Sequence, residues 1–225
     1  MQTFTNSPAF LLGYGAPFPK TTIPMLAAEP CLFSCSEEGA ALQGGLLTKI
    51  ALKHIQAAFI HDIYKAKQEG LSAIIDVRVQ RLMTGMYPSI PGWHCDAVPR
   101  CNYHGQPRFD LINPAAFHVA LTLSSEPFGV SNTEYVVDPI RPKLYDNEHV
   151  YKDLHEQVEK IGPIVQTMAD NVFVKFTPKT IHRATPTRRR GWRMFMRFSM
   201  YHKPPIVNGV SGQQQVYLLS EKNGW

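Results

Sequence analysis

The segment Trp192 to Tyr201, WRMFMRFSMY, alternates without a break: Arg193, Phe195, Arg197 and Ser199 fall on one side of an extended chain, and Trp192, Met194, Met196 and Phe198 on the other. Successive side chains of an extended backbone point to opposite faces, so this pattern commits the segment to a strand with two unlike environments. A second such segment follows Gly70, where Ile75, Val77 and Val79 alternate with Asp76, Arg78 and Gln80 and read as a half-exposed strand. Further short strands are predicted at 117–124, 134–137, 163–168, 172–176 and 215–219, with proline or glycine at nearly every junction. Helical spacing appears in two places. Leu47, Ile50, Ala51, Ile55, Ala58, Phe59 and Tyr64 predict one amphipathic helix over 46–69, closed by Gly70, and a second helix is predicted around 148–160. The chain up to about Glu38 is rich in proline and reads as irregular wrapping. These elements predict one domain over residues 1–225: a wrapping segment and helix over 1–70, then a β core over 71–220. The fold class is mainly β with flanking helices, a sandwich or barrel with the N-terminal helix packed outside.

Composition narrows the setting. With 44% hydrophobic and 18% charged residues, the sequence suits a folded globular protein. No apolar run reaches the roughly 18–20 residues that span a bilayer, and no basic start with a long apolar core marks a secretory signal. Four cysteines form no dense framework, so a reduced, cytoplasmic setting is expected; Cys31 and Cys35 have no matching second pair for a zinc site. A net charge of +5 and a pI near 9.0 favour anionic ligands only mildly. Arg188 to Arg190 reads as a solvated loop or a phosphate-contacting patch, and His54 and His61 as surface residues of the helix.

The candidate chemistry begins at His94-Cys95-Asp96. On an extended strand His94 and Asp96 project from the same face and can share a divalent ion, while Cys95 points into packing. Taken alone, the pair is equally a polar strand edge. His182, which follows the apolar strand at 172–176, supplies a third ligand. Two histidines and one carboxylate leave three positions open on an octahedral ion, the facial triad of non-haem Fe(II) oxygenases. Arg193 and Arg197 share a face of the last long strand, and a guanidinium pointing inward would hold a carboxylate through two parallel hydrogen bonds. An outward, solvated face is the alternative.

His94-x-Asp96, His182 after 86 positions, Arg193 eleven further on and Arg197 fifteen further on together resemble the Fe(II)/2-oxoglutarate-dependent dioxygenase superfamily. The resemblance covers about 74–201. It implies a double-stranded β-helix (jelly roll, cupin-like), Fe(II) on His94, Asp96 and His182, and 2-oxoglutarate as cosubstrate. Arg193 is then the preferred cosubstrate clamp and Arg197 the runner-up or the holder of an anionic substrate. Arg197-Phe198-Ser199 also resembles an R-x-S carboxylate grip, and Tyr87 stands where family members place a residue touching 2-oxoglutarate. The implied reaction is hydroxylation of a C–H bond with O2, giving succinate and carbon dioxide. A small anionic molecule, an amino acid or a protein side chain fits as substrate. A nucleic acid is less favoured, with Trp93, Tyr103 and Trp192 as its only stacking candidates. The alternatives are a cupin-like metal enzyme or a jelly-roll binding module without 2-oxoglutarate. His104, His118, His149, His155 and His202 are read as structural or surface residues, with His118, in a strand, also able to line the pocket.

Overall fold

The computed structural model describes residues 2–15, 21–101, 105–126, 130–144, 149–202, 206–211 and 217–218, with backbone alone for 11–15 and 217. The N-terminal part contains β1 (Gln2–Thr3), β2 (Phe10–Gly15), α1 (Ile23–Ala27), β3 (Cys31–Cys35), α2 (Glu37–Gln43), α3 (Leu46–Ala58) and α4 (Ile60–Gln68). Strands β4 (Leu71–Leu82), β5 (Met86–Tyr87), β6 (Phe117–Ser124), β7 (Thr133–Val136) and β8 (Lys143–Leu144) follow, then α5 (Val150–Ile161). The chain continues through β9 (Val165–Thr167), β10 (Val172–Phe176), β11 (His182–Ala184), β12 (Gly191–His202), β13 (Gly209–Ser211) and β14 (Tyr217–Leu218).

All strand pairs among the described residues are antiparallel. The large sheet runs β13-β3-β4-β12-β6-β10-β2 and the smaller one β11-β7-β9; β1 pairs with β8, and β14 with β5. Strands β4 and β12 pair along their full lengths, from Gly191 opposite Leu82 to His202 opposite Leu71. The alternation of β12 therefore becomes a division between two faces of the large sheet. Met194, Met196, Phe198 and Met200 join Ile75, Val77 and Val79 of β4 and Val119, Leu121 and Leu123 of β6 in the main core. Leu47, Ala51, Leu52 and Ile55 of α3 and Ile63 and Ala66 of α4 cover that face. The opposite face, carrying Asp76, Arg78, Arg193, Phe195 and Arg197, looks across a cavity to Tyr135 of β7 and His182 and Ala184 of β11.

Four expectations need correction. The helix over 46–69 is two helices, kinked at Phe59 (φ −115°, ψ 20°). Its buried residues Leu47, Ala51, Ile55, Phe59 and Ile63 recur every four positions, which turns an apolar stripe by about 40° per step on a 3.6-residue helix. The kink resets that drift, and Ala58 and Tyr64 face solvent. The N-terminal stretch is not irregular wrapping: β3 lies inside the large sheet and β2 forms its edge. Strand β3 was hidden because Ser34 adopts φ 48° and the pairing with β4 shifts register there, which breaks the period-two signal. The strand expected at 163–168 shrinks to the exposed three-residue β9. On the polar side of β4, Asp76 and Arg78 are half-buried as read and line the cavity, whereas Gln80 is buried at 4% exposure. Of the strand at 215–219, Tyr217 and Leu218 form β14, and the rest lies outside the described residues, as do Tyr103 and His104. All four cysteines are free thiols. Among the described residues, no helix is long and apolar enough to cross a membrane.

Candidate metal centre and its cavity

His94 does not lie in a strand. It forms an isolated bridge with His182, the first residue of β11, through two reciprocal backbone hydrogen bonds of 3.0 Å. This bridge brings two residues 88 positions apart into register, and their rings come to 4.6 Å between centroids. On the outer side, the neighbours of the two histidines lock the same junction. The Arg183 guanidinium stacks on Trp93 at 4.2 Å and donates to Glu134 and Glu159, each at 2.8 Å. Trp93 Nε1 donates to the same Glu159 oxygen at 2.6 Å.

The Nε2 atoms of both histidines point to Asp96, His94 at 3.9 Å from Oδ1 and His182 at 3.3 Å from Oδ2. One ligand atom from each of the three lies within 4.8 Å of the others, so the trio forms a group that can hold a metal ion. The remaining ring nitrogens fit that role. His94 Nδ1 lies 2.8 Å from the Gly92 carbonyl and His182 Nδ1 lies 2.9 Å from the Thr180 carbonyl. A carbonyl can only accept, so Nδ1 carries a proton in both rings, and Nε2 is the atom turned toward the place a metal would take. Burial, followed by the neighbouring His182, lowers the pKa of His94 to about 4, which keeps the ring neutral. Burial pushes the Asp96 carboxyl upward, but Arg197, His182 and His94 together pull it well below the usual carboxylate range. The donor set is thus two imidazoles and a carboxylate, which suits a divalent first-row ion.

The two arginines of β12 have different surroundings. Arg197 donates to Asp96 Oδ2 and, at 3.1 Å, to Asp76 Oδ2 directly across the strand pair. Burial works against its charge, and the two carboxylates more than offset it. Arg193 is 3% exposed; its Nε donates to the Ser131 carbonyl at 2.9 Å, and Nη2 lies 3.4 Å from Thr122 Oγ1. Among the described residues, no carboxylate lies within ion-pair distance of it. Burial lowers its pKa to about 10, with Asp170 opposing and Arg78 adding to the effect.

Two other expected contacts lie elsewhere. Ser199 is buried beneath the cavity and bonds His118 Nδ1 at 2.8 Å. Tyr87 pairs in β5 with Tyr217, and the cavity wall is built by its neighbours Pro88, Ser89 and Ile90 instead. The aromatics that do reach the centre are Phe176, edge-on to His182 at 5.2 Å, and Tyr135, 1% exposed and stacked on His182 at 5.5 Å. Nothing in the sequence around Tyr135 distinguishes it from an ordinary core tyrosine. Asp76 and Arg78 did carry a signal, since their charges share the period of Arg193 and Arg197 on the partner strand. Arg188 to Arg190 are exposed in the turn before β12. A second cavity of about 460 Å³, beside Ala97, Leu111 and Tyr201, contains none of the candidate ligands.

No family model and no curated protein matches the chain. Among solved structures, an N-substituted L-amino acid dioxygenase in complex with alpha-KG from Burkholderia ambifaria AMMD is 16% identical, over 54% of this chain and 46% of that one, with a TM-score of 0.33. AviO1 from Streptomyces viridochromogenes Tue57 is 15% identical over 60% of this chain and 52% of its own, also at 0.33. A non-heme monooxygenase, the ThoJ–Ni complex, is 12% identical over 80% of this chain and 76% of its own, at 0.33. The chain spans about half the length of the first two. TM-scores this low mark a loose likeness of backbone course, and the functional reading rests on the side chains.

Proposed function

We propose that this protein is a non-haem Fe(II)- and 2-oxoglutarate-dependent oxygenase that hydroxylates a C–H bond of a small molecule. The observation that carries the reading is a pairing in one cavity: His94, Asp96 and His182 converge on one another, and Arg193 is buried on the opposite wall with no ion-pair partner among the described residues. A buried guanidinium lacking a carboxylate is costly unless a ligand supplies one, and its planar fork matches the far carboxylate of 2-oxoglutarate. With Fe(II) and 2-oxoglutarate bound, the centre supplies O2 activation coupled to oxidation of the cosubstrate to succinate and carbon dioxide.

The chain's own residues divide the remaining work. The carbonyls of Gly92 and Thr180 fix the tautomers of the two histidines. Arg197, anchored by Asp76, holds one oxygen of Asp96 and so orients the carboxylate, which takes it out of competition for the cosubstrate. Tyr135, Phe176 and Phe195 give the wall its apolar parts and exclude water from the ligand cluster. The strand order supports reading the fold as a double-stranded β-helix in a single domain. Counting the core from β4, with the His94 bridge as its second strand, the first, eighth, third and sixth strands adjoin in one sheet. The second, seventh, fourth and fifth adjoin in the other. That interleaving is what two Greek keys rolled together produce.

Anaerobic protein with Fe(II) should develop a weak visible absorbance on addition of 2-oxoglutarate, and in air it should form succinate slowly even without substrate. His182→Ala should lose metal and succinate together. Arg193→Ala should keep the metal and raise the 2-oxoglutarate requirement at least tenfold. A wild-type protein with neither absorbance nor succinate ends the proposal, and a raised requirement in Arg197→Ala alone reassigns the clamp.

A further inference from the structure

Three guanidiniums line the cavity: Arg78, Arg193 and Arg197. Arg197 is neutralised by Asp76 and Asp96, and the proposed cosubstrate occupies Arg193. Arg78 is left over. It stands on β4 opposite Phe195, two positions from Asp76 and two from Gln80, on the face turned to the cavity. It is half-buried, and its side-chain hydrogen bond is one long contact from Nη1 to Ser89 Oγ at 3.4 Å. Among the described residues, no carboxylate lies within ion-pair distance of it.

Charge bookkeeping gives this placement meaning. Three guanidiniums against two carboxylates leave the charged side chains of the wall one positive charge in excess. A divalent ion raises the excess to three, and a dicarboxylate cosubstrate returns it to one. Like charges gathered on one wall repel, so the loaded arrangement favours one further anion there. The surroundings of Arg78 also describe the rest of that ligand, because Pro88, Ile90 and Phe195 are apolar and adjoin it on the wall. Two strand positions, about 7 Å, separate Arg78 from Asp76, whose partner Arg197 touches Asp96. A carboxylate on Arg78 therefore leaves the length of a few carbons between itself and the ligand cluster.

We infer that Arg78 is the substrate's anion subsite, and that the substrate is a monoanion with an apolar body carried next to its carboxylate. This rests on the cosubstrate reading above. The test uses protein loaded with Zn(II) and N-oxalylglycine, an unreactive isostere of 2-oxoglutarate, titrated calorimetrically with benzoate and with its neutral isostere benzamide. Benzoate should bind one-to-one, and benzamide at least tenfold more weakly. Arg78→Gln should lose benzoate at least tenfold while N-oxalylglycine binding moves less than twofold, and Arg78→Lys should retain most of the benzoate affinity. Equal benzoate binding in wild type and Arg78→Gln overturns the inference, as does benzamide binding as well as benzoate. If Arg78→Gln weakens N-oxalylglycine as strongly as Arg193→Gln does, Arg78 belongs to the cosubstrate and the inference fails. If wild type binds no N-oxalylglycine, the cosubstrate reading fails instead, and benzoate titration of metal-free wild type and Arg78→Gln reads the subsite by itself.

Discussion

Two histidines of the interior, His94 and His118, are held neutral by their surroundings. Burial first, then the charges of His182 and Arg197, bring them to about 4 and about 3 respectively. His118 is fully buried, with Nδ1 on Ser199 and Nε2 lacking a well-formed hydrogen bond. Both folded values lie below the ordinary histidine value of 6.5 given for these groups, so the unfolded chain binds more protons than the folded one in the acid range. Stability is then fully present above pH 6.5 and lost as pH falls toward the folded values. Each ring contributes a slope of about 1.4 kcal/mol per pH unit within that window. Metal-free protein should lose about 3–4 kcal/mol between pH 7.5 and 5.0, measured by urea unfolding in chelator, and His118→Leu should halve the slope. A flat profile over that range would show that the two rings are already charged in the fold. These roles differ in how far the sequence reveals them. That His94, Asp96 and His182 gather at one place was legible, because the residue types and their order along the chain suggest a shared site. Tyr135 and Ser199 were not, because their contacts are set by which strands adjoin.

Helix α3 shows the same limit for a whole element. Its apolar spacing announces a helix, but its start carries no local cap: Gly45 is the N-cap and makes no side-chain hydrogen bond. The cap comes from Glu29, 18 positions before Leu47, whose carboxylate accepts from the Leu47 amide at 2.5 Å, the Thr48 amide at 3.3 Å and the Thr48 hydroxyl at 2.7 Å. A negative group at this end also meets the positive end of the helix dipole. Gly45 is a glycine for space and not for backbone freedom, since its φ of −77° suits any residue while an added Cβ would lie 2.5 Å from Glu29 Oε1. Glu29→Ala should cost about 2–3 kcal/mol for three lost bonds to an ionised acceptor. Gly45→Ala should cost about 1–3 kcal/mol by overpacking. In the double variant the clash disappears with the carboxylate, so the two costs should fall short of adding by about 1 kcal/mol or more. Urea unfolding of the four proteins measures this; strict additivity would mean that Gly45 and Glu29 do not share the space.

At the scale of the molecule, the sheet depends on pairing between distant parts of the chain. The long strands β4, β6, β10 and β12 announced themselves through alternation or apolar runs, and the predicted bounds of β6, β10 and β12 hold nearly to the residue. Strand β3 did not, since a five-residue strand with a bulge carries too little period to read. Yet its position, between β13 and β4, makes the N-terminal segment part of the sheet. Leu32 is 1% exposed and Cys35 fully buried, and Cys31 Sγ exchanges hydrogen bonds with the backbone of Val79. Removing residues 1–36 would strip β3 from one side of the sheet and β2 from the other. It would expose the unpaired edge of β4, leave β13 without a partner and delete the cap of α3. A milder lesion, Leu32→Ala, should cost about 2–4 kcal/mol, as truncation of a buried leucine does. Because a chain of this kind has only about 5–15 kcal/mol to lose, the truncation should abolish cooperative unfolding and near-ultraviolet circular dichroism, while Leu32→Ala keeps both at a lower urea midpoint. A truncated protein that still unfolds in one sharp transition would show that the strands from β4 onward form a self-sufficient core, with β3 an ornament on its edge.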